Sequence, residues 1–239
     1  CTPLGNGTFP LSFLSSGLPV DFCWPSLIGC MSCLFGNTSY GQNLSSATVF
    51  AGTKGRLTVY RGTNGQDEAF HPVLEAVDLQ THITPEAVAG RLGLLSSGLC
   101  GQSPIRTVNA GQISLLVPVA DKETLLGLAP ETGRLGAFLE RCSVDLLQVF
   151  TMQAGQRQVL SRTFAPQNGS DDFASVSGIS AMDHYMQNHD LWRDYDQCIS
   201  LEHIAPNGRK HNSLMQRRND AVLLGGGSTV QSKGQHILP

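Results

Sequence analysis

A mixed α+β fold is predicted by three features of the sequence. Runs rich in β-formers, such as ATVFA and RLTVY, flank short turns; helical segments open on start signals such as Thr84-Pro85-Glu86; no internal repeat or low-complexity tract interrupts the alternation. The 239 residues are 41% hydrophobic and 15% charged, so the chain carries enough apolar material for a real core.

The elements follow in order. WPSLIGCMSCLFGN (residues 24–37) is apolar along its length, with proline near its start and Gly-Asn at its end, and suits a buried helix. SATVFAGTKGRLTVY (residues 46–60) is a hairpin signal, two β-rich runs around a Thr-Lys-Gly turn. In THITPEAVAGRLGLLSSG, Thr84 is the N-cap of a helix, Pro85 its first residue and Glu86 an acid in its first turn; this helix is expected to open a second domain. PIRTVNAGQISLLVPV reads as a strand pair, DKETLLGL and PETGRLGAFLERC as amphipathic helices, and DLLQVFTM and QVLSRTFAP as strands. SAMDHYMQNHDLW continues a further helix, and QCISLEHI, NSLMQRR, DAVLLGG and STVQSKGQHILP form a meander of short strands. GGGST (residues 225–229) lacks the lysine and following helix of a phosphate loop and is expected to be a hairpin turn.

Composition excludes several functions. A net charge of −3 with no basic run argues against a nucleic-acid partner. No apolar stretch approaches the roughly 18 to 20 residues that span a bilayer, so no membrane partner is expected. Seven cysteines are odd in number and too sparse for a disulfide scaffold, although three pairs and one free thiol would fit a secreted protein. Glycosylation triplets at Asn6, Asn37, Asn43 and Asn168 lean toward a secretory history, with a cytoplasmic location left open. The start at Cys1, without Met, implies a processed or trimmed N-terminus. Cys30 and Cys33 form a lone CxxC in an apolar helix, which fits buried thiols better than a metal site, and no metal or other cofactor is expected. Glu202 and His203 are neighbours on a strand and point to opposite faces, so they form no dyad. No Gly-x-Ser-x-Gly elbow is present.

The stretch RTFAPQNGSDDFASVSGIS (residues 162–180) leads from a strand through a polar turn into two acids and a row of small residues. It resembles the phenazine-biosynthesis PhzF-like family, related to the diaminopimelate epimerases, whose members carry an Arg-x-Phe-x-Pro strand, a Glu-Asp-Pro-Val-Thr-Gly-Ser-Ala turn and a long central helix in this order. Arg162, Phe164 and Pro166 match the strand; Asp171, Asp172, Ala174, Ser175 and Ser177 follow as a degraded turn, with Phe173 at its Pro, Val176 at its first small position and Gly178 at its Ala. Upstream, VDFCWPSLIGCMSCLF is similar to the family's Val-Asp-Leu-Cys-Gly-His-Ala-Thr-Leu segment and helix. The resemblance implies two similar domains, taken here as residues 1–75 and 76–239, each a curved, mostly antiparallel sheet around a central helix, with the active site in a cleft between them. It also implies cofactor-independent proton transfer on small carboxylate-bearing molecules.

Small residues at a helix N-terminus expose N–H groups and the positive end of the dipole to a substrate carboxylate, and Ser175, Ser177 and Gly178 fit that use. Asp172 matches the family's acid, and beside Asp171 one carboxyl of the pair could stay protonated for general acid–base work; equally, both acids suit plain helix capping. Asn109 and Gly111, in the strand-pair turn, are further substrate-binding candidates, and Arg106 and Arg209 remain possible anchors for an anion. Ser26, beside Trp24, is a further substrate-binding candidate.

Departures from the family are informative. Trp24 stands where the family has its catalytic His, and residues 1–22 contain no Glu to match the family's Asn-Leu-Ser-Glu-Thr segment. Either residues ahead of Cys1 supply that acid or the site is rebuilt around Trp24, whose ring is also consistent with a core position. The sequence therefore carries two readings. One is an isomerase or cyclase, including a pericyclic one, acting on a small natural-product intermediate. The other is a catalytically silent relative binding a small ligand or partner chain, and a homodimer covering an open sheet edge fits either.

Overall fold

The structure is a computed structural model that describes residues 8–15, 18–20, 23–37, 41–51, 55–62, 68–152, 157–165, 175–192, 198–205, 208–218 and 221–230. Pro166, Asn168, Asp171, Asp172, Phe173 and Ala174 therefore lie outside the described residues. The chain forms two compact units, residues 1–72 with 225–239, and residues 73–224.

The first unit contains β1 (Thr8–Leu11), β2 (Phe13–Ser15), β3 (Leu18–Val20), α1 (Trp24–Asn37), β4 (Ser46–Ala51), β5 (Arg56–Arg61) and β6 (Glu68–Pro72). Strands run in the order β1-β4-β5-β6, and β2 pairs with β3 in a ribbon of their own. The expected hairpin is β4/β5, in register from Ser46 opposite Tyr60 to Phe50 opposite Arg56. Along α1, Leu27, Ile28, Met31, Leu34 and Phe35 recur at helical spacing and are buried, and the helix packs on β5 and β6. Ala47, Val49 and Ala51 of β4, Val59 of β5 and Ala69 of β6 are buried in this unit.

The second unit contains β7 (Val77–Leu79), α2 (Pro85–Leu92), β8 (Arg106–Asn109), β9 (Ile113–Pro118), α3 (Lys122–Leu126), α4 (Thr132–Arg141), β10 (Leu146–Met152), β11 (Gln158–Phe164), α5 (Val176–Asn188), β12 (Cys198–Ile204) and β13 (Lys210–Arg218). Strand β14 (Ala221–Gly227) begins in this unit and its last residues belong to the first. Strand order is β14-β13-β12-β11-β10-β9-β8-β7. Pairing is mostly antiparallel; β1/β4, β9/β10 and β11/β12 are parallel. Each parallel pair brackets helix in the sequence, as a crossover requires: α1 in the first case, α3 and α4 in the second, α5 in the third.

The cap of α2 forms as expected. Thr84 Oγ1 accepts from Ala87 N at 3.3 Å, Pro85 is the first helical residue, and Gly93 closes the helix in the left-handed region at φ 72°. Period-two alternation then divides the sheet's faces. Leu115 and Val117 of β9, Leu147 and Val149 of β10, and Leu160 and Phe164 of β11 join Val88, Leu92, Leu125, Leu135 and Leu139 of α2, α3 and α4 in one aliphatic core. Helix α5 lies over the opposite face, where the Phe150 ring meets Tyr185 edge-on with centroids 5.3 Å apart.

Two expectations are corrected. The helix expected to run through SAMDHYMQNHDLW ends at Asn188, because Asp190 turns into the left-handed region at φ 54°. Trp192, beyond that end, is folded back instead: its Nε1 donates to Asp183 at 2.8 Å, and the Arg217 guanidinium sits 4.9 Å from its ring. Residues 225–227, expected as a hairpin turn, end strand β14. A Cβ on Gly225 would fall 2.5 Å from the Phe70 ring and against the Ala69 carbonyl, so glycine is required there for close approach within the sheet.

Candidate functional site

Several sequence candidates meet at the first turn of α5 in the second unit. Ser175 precedes the helix in an extended conformation, and its Oγ accepts from Gly178 N at 2.9 Å. That cap uses one of the four N–H groups that a helix start leaves without an intrahelical partner. Gly178 is held from the sheet side as well, since Gln148 Nε2 of β10 donates to its carbonyl at 2.9 Å. A Cβ at position 178 would lie 3.1 Å from Ser175 Oγ and 3.2 Å from Gln148 Nε2, so glycine lets cap and strand close on the same residue.

The β8–β9 turn borders this helix start. Gly111 has φ 93°, and its N–H donates to Asn109 Oδ1 at 2.9 Å, an Asx-type turn. A Cβ built on Gly111 would meet Ser177 Oγ at 3.6 Å. Asn109, Gly111, Ser175, Ser177 and Gly178, which lie about 65 residues apart in sequence from the turn to the helix, therefore belong to one locale. Asn109 acts there through its side-chain oxygen as a turn-forming acceptor, and Arg106 is exposed on β8. Gln148 was not a sequence candidate. Its one signal is a polar residue inside the apolar strand run LLQVF, where it is buried.

Trp24 and Ser26 belong to the first unit, at the start of α1. Trp24 is buried, and its Nε1 makes no hydrogen bond. Ser26 is exposed and donates to Cys23 Sγ at 2.9 Å.

The remaining ionisable candidates are engaged elsewhere. Asp183 is buried in α5 and accepts from Trp192 Nε1 and from Gln187 Nε2 at 2.7 Å; burial pushes its carboxyl above the usual range, and the two donors pull against that shift. Tyr185 donates to the Pro104 carbonyl at 2.8 Å, and burial pushes its phenol up to about 12. His184 Nε2 lies 3.3 Å from Asp78 Oδ2. Glu202 pairs with Lys210 at 2.9 Å, whereas His203 is buried and its Nδ1 lies 3.5 Å from Thr163 Oγ1, so the two side chains take opposite faces as their adjacency predicts. The six described cysteines are free thiols, and burial pushes Cys30 up. Among the described residues no three His, Cys, Asp or Glu side chains cluster as metal ligands, and no helix is long and apolar enough to cross a membrane.

A mixed α+β chain of two units, with a small-residue helix start fastened to the strand behind it, defines a class of architecture that comparison with known proteins resolves to a family. Residues 6–234 match the family model described as phenazine biosynthesis-like protein, and the chain belongs to that family. Among solved structures it is similar to a PhzF-family phenazine biosynthesis protein from Bacillus anthracis, with 15% identity over 91% of this chain and 77% of that one and a TM-score of 0.71. A PhzF-family protein from Enterococcus faecalis gives 17% identity, 98% and 80% coverage and a TM-score of 0.68. A protein described as a predicted epimerase from Pseudomonas aeruginosa gives 19%, 95% and 80%, and 0.65. No curated protein matches the chain in sequence.

Proposed function

We propose that this protein is a cofactor-independent isomerase or cyclase of a small, carboxylate-bearing natural-product intermediate, whose carboxylate is seated on the first turn of α5. The observation that carries this reading is the construction of that turn. Ser175, Ser177 and Gly178 place small residues at the helix start, whose N–H groups not taken by the Ser175 cap are the proposed donors, and Gln148 fixes the turn from behind. An anion at a helix start gains about 0.3–1 kcal/mol from the dipole when exposed and up to about 2 kcal/mol when partly buried.

Isomerisation of a conjugated acid is redox-neutral. A proton leaves one carbon, the electron pair shifts through the conjugated system, and a proton returns at another carbon. Asp172, which matches the family's acid, is the proposed carrier. The cyclase form needs a folded substrate more than an acid–base pair, and its proposed residue is Trp24, which stands in the sequence where the family has its His.

The test is turnover of a panel of conjugated carboxylic acids in D2O, followed by NMR. Deuterium incorporation by the wild type, reduced about 10²–10⁴-fold in Asp172→Asn, supports proton transfer by that carboxylate. Product formation without deuterium that is lost in Trp24→Ala supports the cyclase form. Wild-type rates in both variants would sink the reading.

A further inference from the structure

The sheet face that carries α5 includes a row of buried polar side chains, whereas the opposite face packs most of the aliphatic core. Gln148 reaches α5 directly, and strand register extends its row: Gln148 stands opposite Thr163 on β11, and Ser161 opposite His203 on β12. All four are buried. On the other side of Gln148, Leu116 of β9 is its partner, and Ser114 lies two residues before Leu116, so alternation puts Ser114 on this same α5 face. Helix α5 packs on β8 and β9. The β8–β9 turn that leads to Ser114 is the one whose Gly111 abuts Ser177 of the helix.

The Ser114 side chain is 0% exposed, and its Oγ makes no hydrogen bond. Gln148 has the Gly178 carbonyl, and Ser180, on α5, donates to Val176 O at 2.7 Å and accepts from Leu74 N at 2.9 Å. A hydroxyl withdrawn from water without a partner destabilises a fold, and alanine or valine would fill a strand position of this kind without that cost. Buried groups left short of a partner are rare in folded proteins and recur where a ligand completes them.

We propose that Ser114 is a specificity-determining residue: its hydroxyl donates to the anionic group of the ligand seated at the first turn of α5. This rests on the carboxylate seat of the proposed function and adds to it a side-chain donor from the strand beneath. Helix N–H groups attract an anion of any shape, whereas a hydroxyl fixed on a strand fixes where one oxygen stands. The seat then discriminates a planar carboxylate from the neutral amide of the same shape.

The experiment uses benzoate and benzamide as probes of the full chain. Benzoate is expected to shift the amide resonances of Ser177 and Gly178 and to bind more tightly than benzamide. In Ser114→Ala, benzoate is expected to bind about tenfold more weakly, the preference over benzamide to shrink, and the melting temperature to stay level or rise, because an unpaired hydroxyl has been removed. If benzoate leaves the Ser177 and Gly178 amides unmoved, the carboxylate seat is wrong and this inference falls with it. If those amides move but Ser114→Ala binds benzoate as tightly as the wild type, the seat stands and the role of Ser114 is overturned. A lower melting temperature in Ser114→Ala with unchanged affinity also overturns it, since that is the behaviour of a structural hydroxyl.

Discussion

Glu68 is the acid that the first unit buries among its described residues, at 6% exposure, and its Oε2 has no hydrogen-bond partner. Gly62 makes room for it: a Cβ there would stand 2.9 Å from Glu68 Cβ and 3.0 Å from Oε2. Burial pushes the Glu68 carboxyl above its ordinary range. A carboxyl whose folded-state proton affinity exceeds its unfolded one favours the fold while protonated, and that contribution is lost as pH rises through the folded value. Stability is therefore expected to fall from the ordinary glutamate range near pH 4.3 upward to the raised value. Glu68→Gln should flatten that part of the curve, as read by urea midpoints from pH 4 to 7. An unchanged slope would show that the group keeps an ordinary affinity in the fold.

At the scale of elements, what the sequence made legible was whatever has a local cause. The cap of α2 is written in Thr84, Pro85 and Glu86, and the strands β9, β10 and β11 in their apolar runs. The first turn of α5 was legible in part: Ser175, Ser177 and Gly178 are small in any context, but Gln148 joins them only through the packing of α5 on β10. Strands β1, β3 and β6 escaped because prolines interrupt them or end them, at Pro10, Pro19 and Pro72, and a proline in a short run demotes a strand. Asp171 and Asp172 lie outside the described residues. The glycine run at 225–227 misled for a related reason, since what requires Gly225 is the Ala69 carbonyl and the Phe70 ring, more than 150 residues earlier in the chain. Gly225→Ala should therefore destabilise by about 1–3 kcal/mol, the range for forcing a methyl into a filled site, measured by chemical denaturation. A cost near the few tenths typical of a tolerant surface position would mean that the Ala69 backbone and the Phe70 ring give way together.

On the scale of the whole molecule, sequence order and compact unit part company at the C-terminus. Residues 225–239 belong with residues 1–72, although residues 73–224 intervene. Described contacts explain why. Gly225 packs on Phe70 and Ala69 of β6, Ser228 N donates to Ser32 Oγ of α1 at 3.0 Å, and Ser228 Oγ donates to Gly29 O at 3.1 Å. The last strand thus closes the first unit by reaching both its sheet and its helix, whereas the aliphatic core of α2, α3 and α4 against β9, β10 and β11 draws on none of these residues. A chain ending at Leu224 should therefore lose amide protection across β4, β5 and β6 while β9, β10 and β11 stay protected, as read by hydrogen exchange. If both sets lose protection together, the two units fold as one cooperative body, and the C-terminal strand stabilises more than the unit it completes.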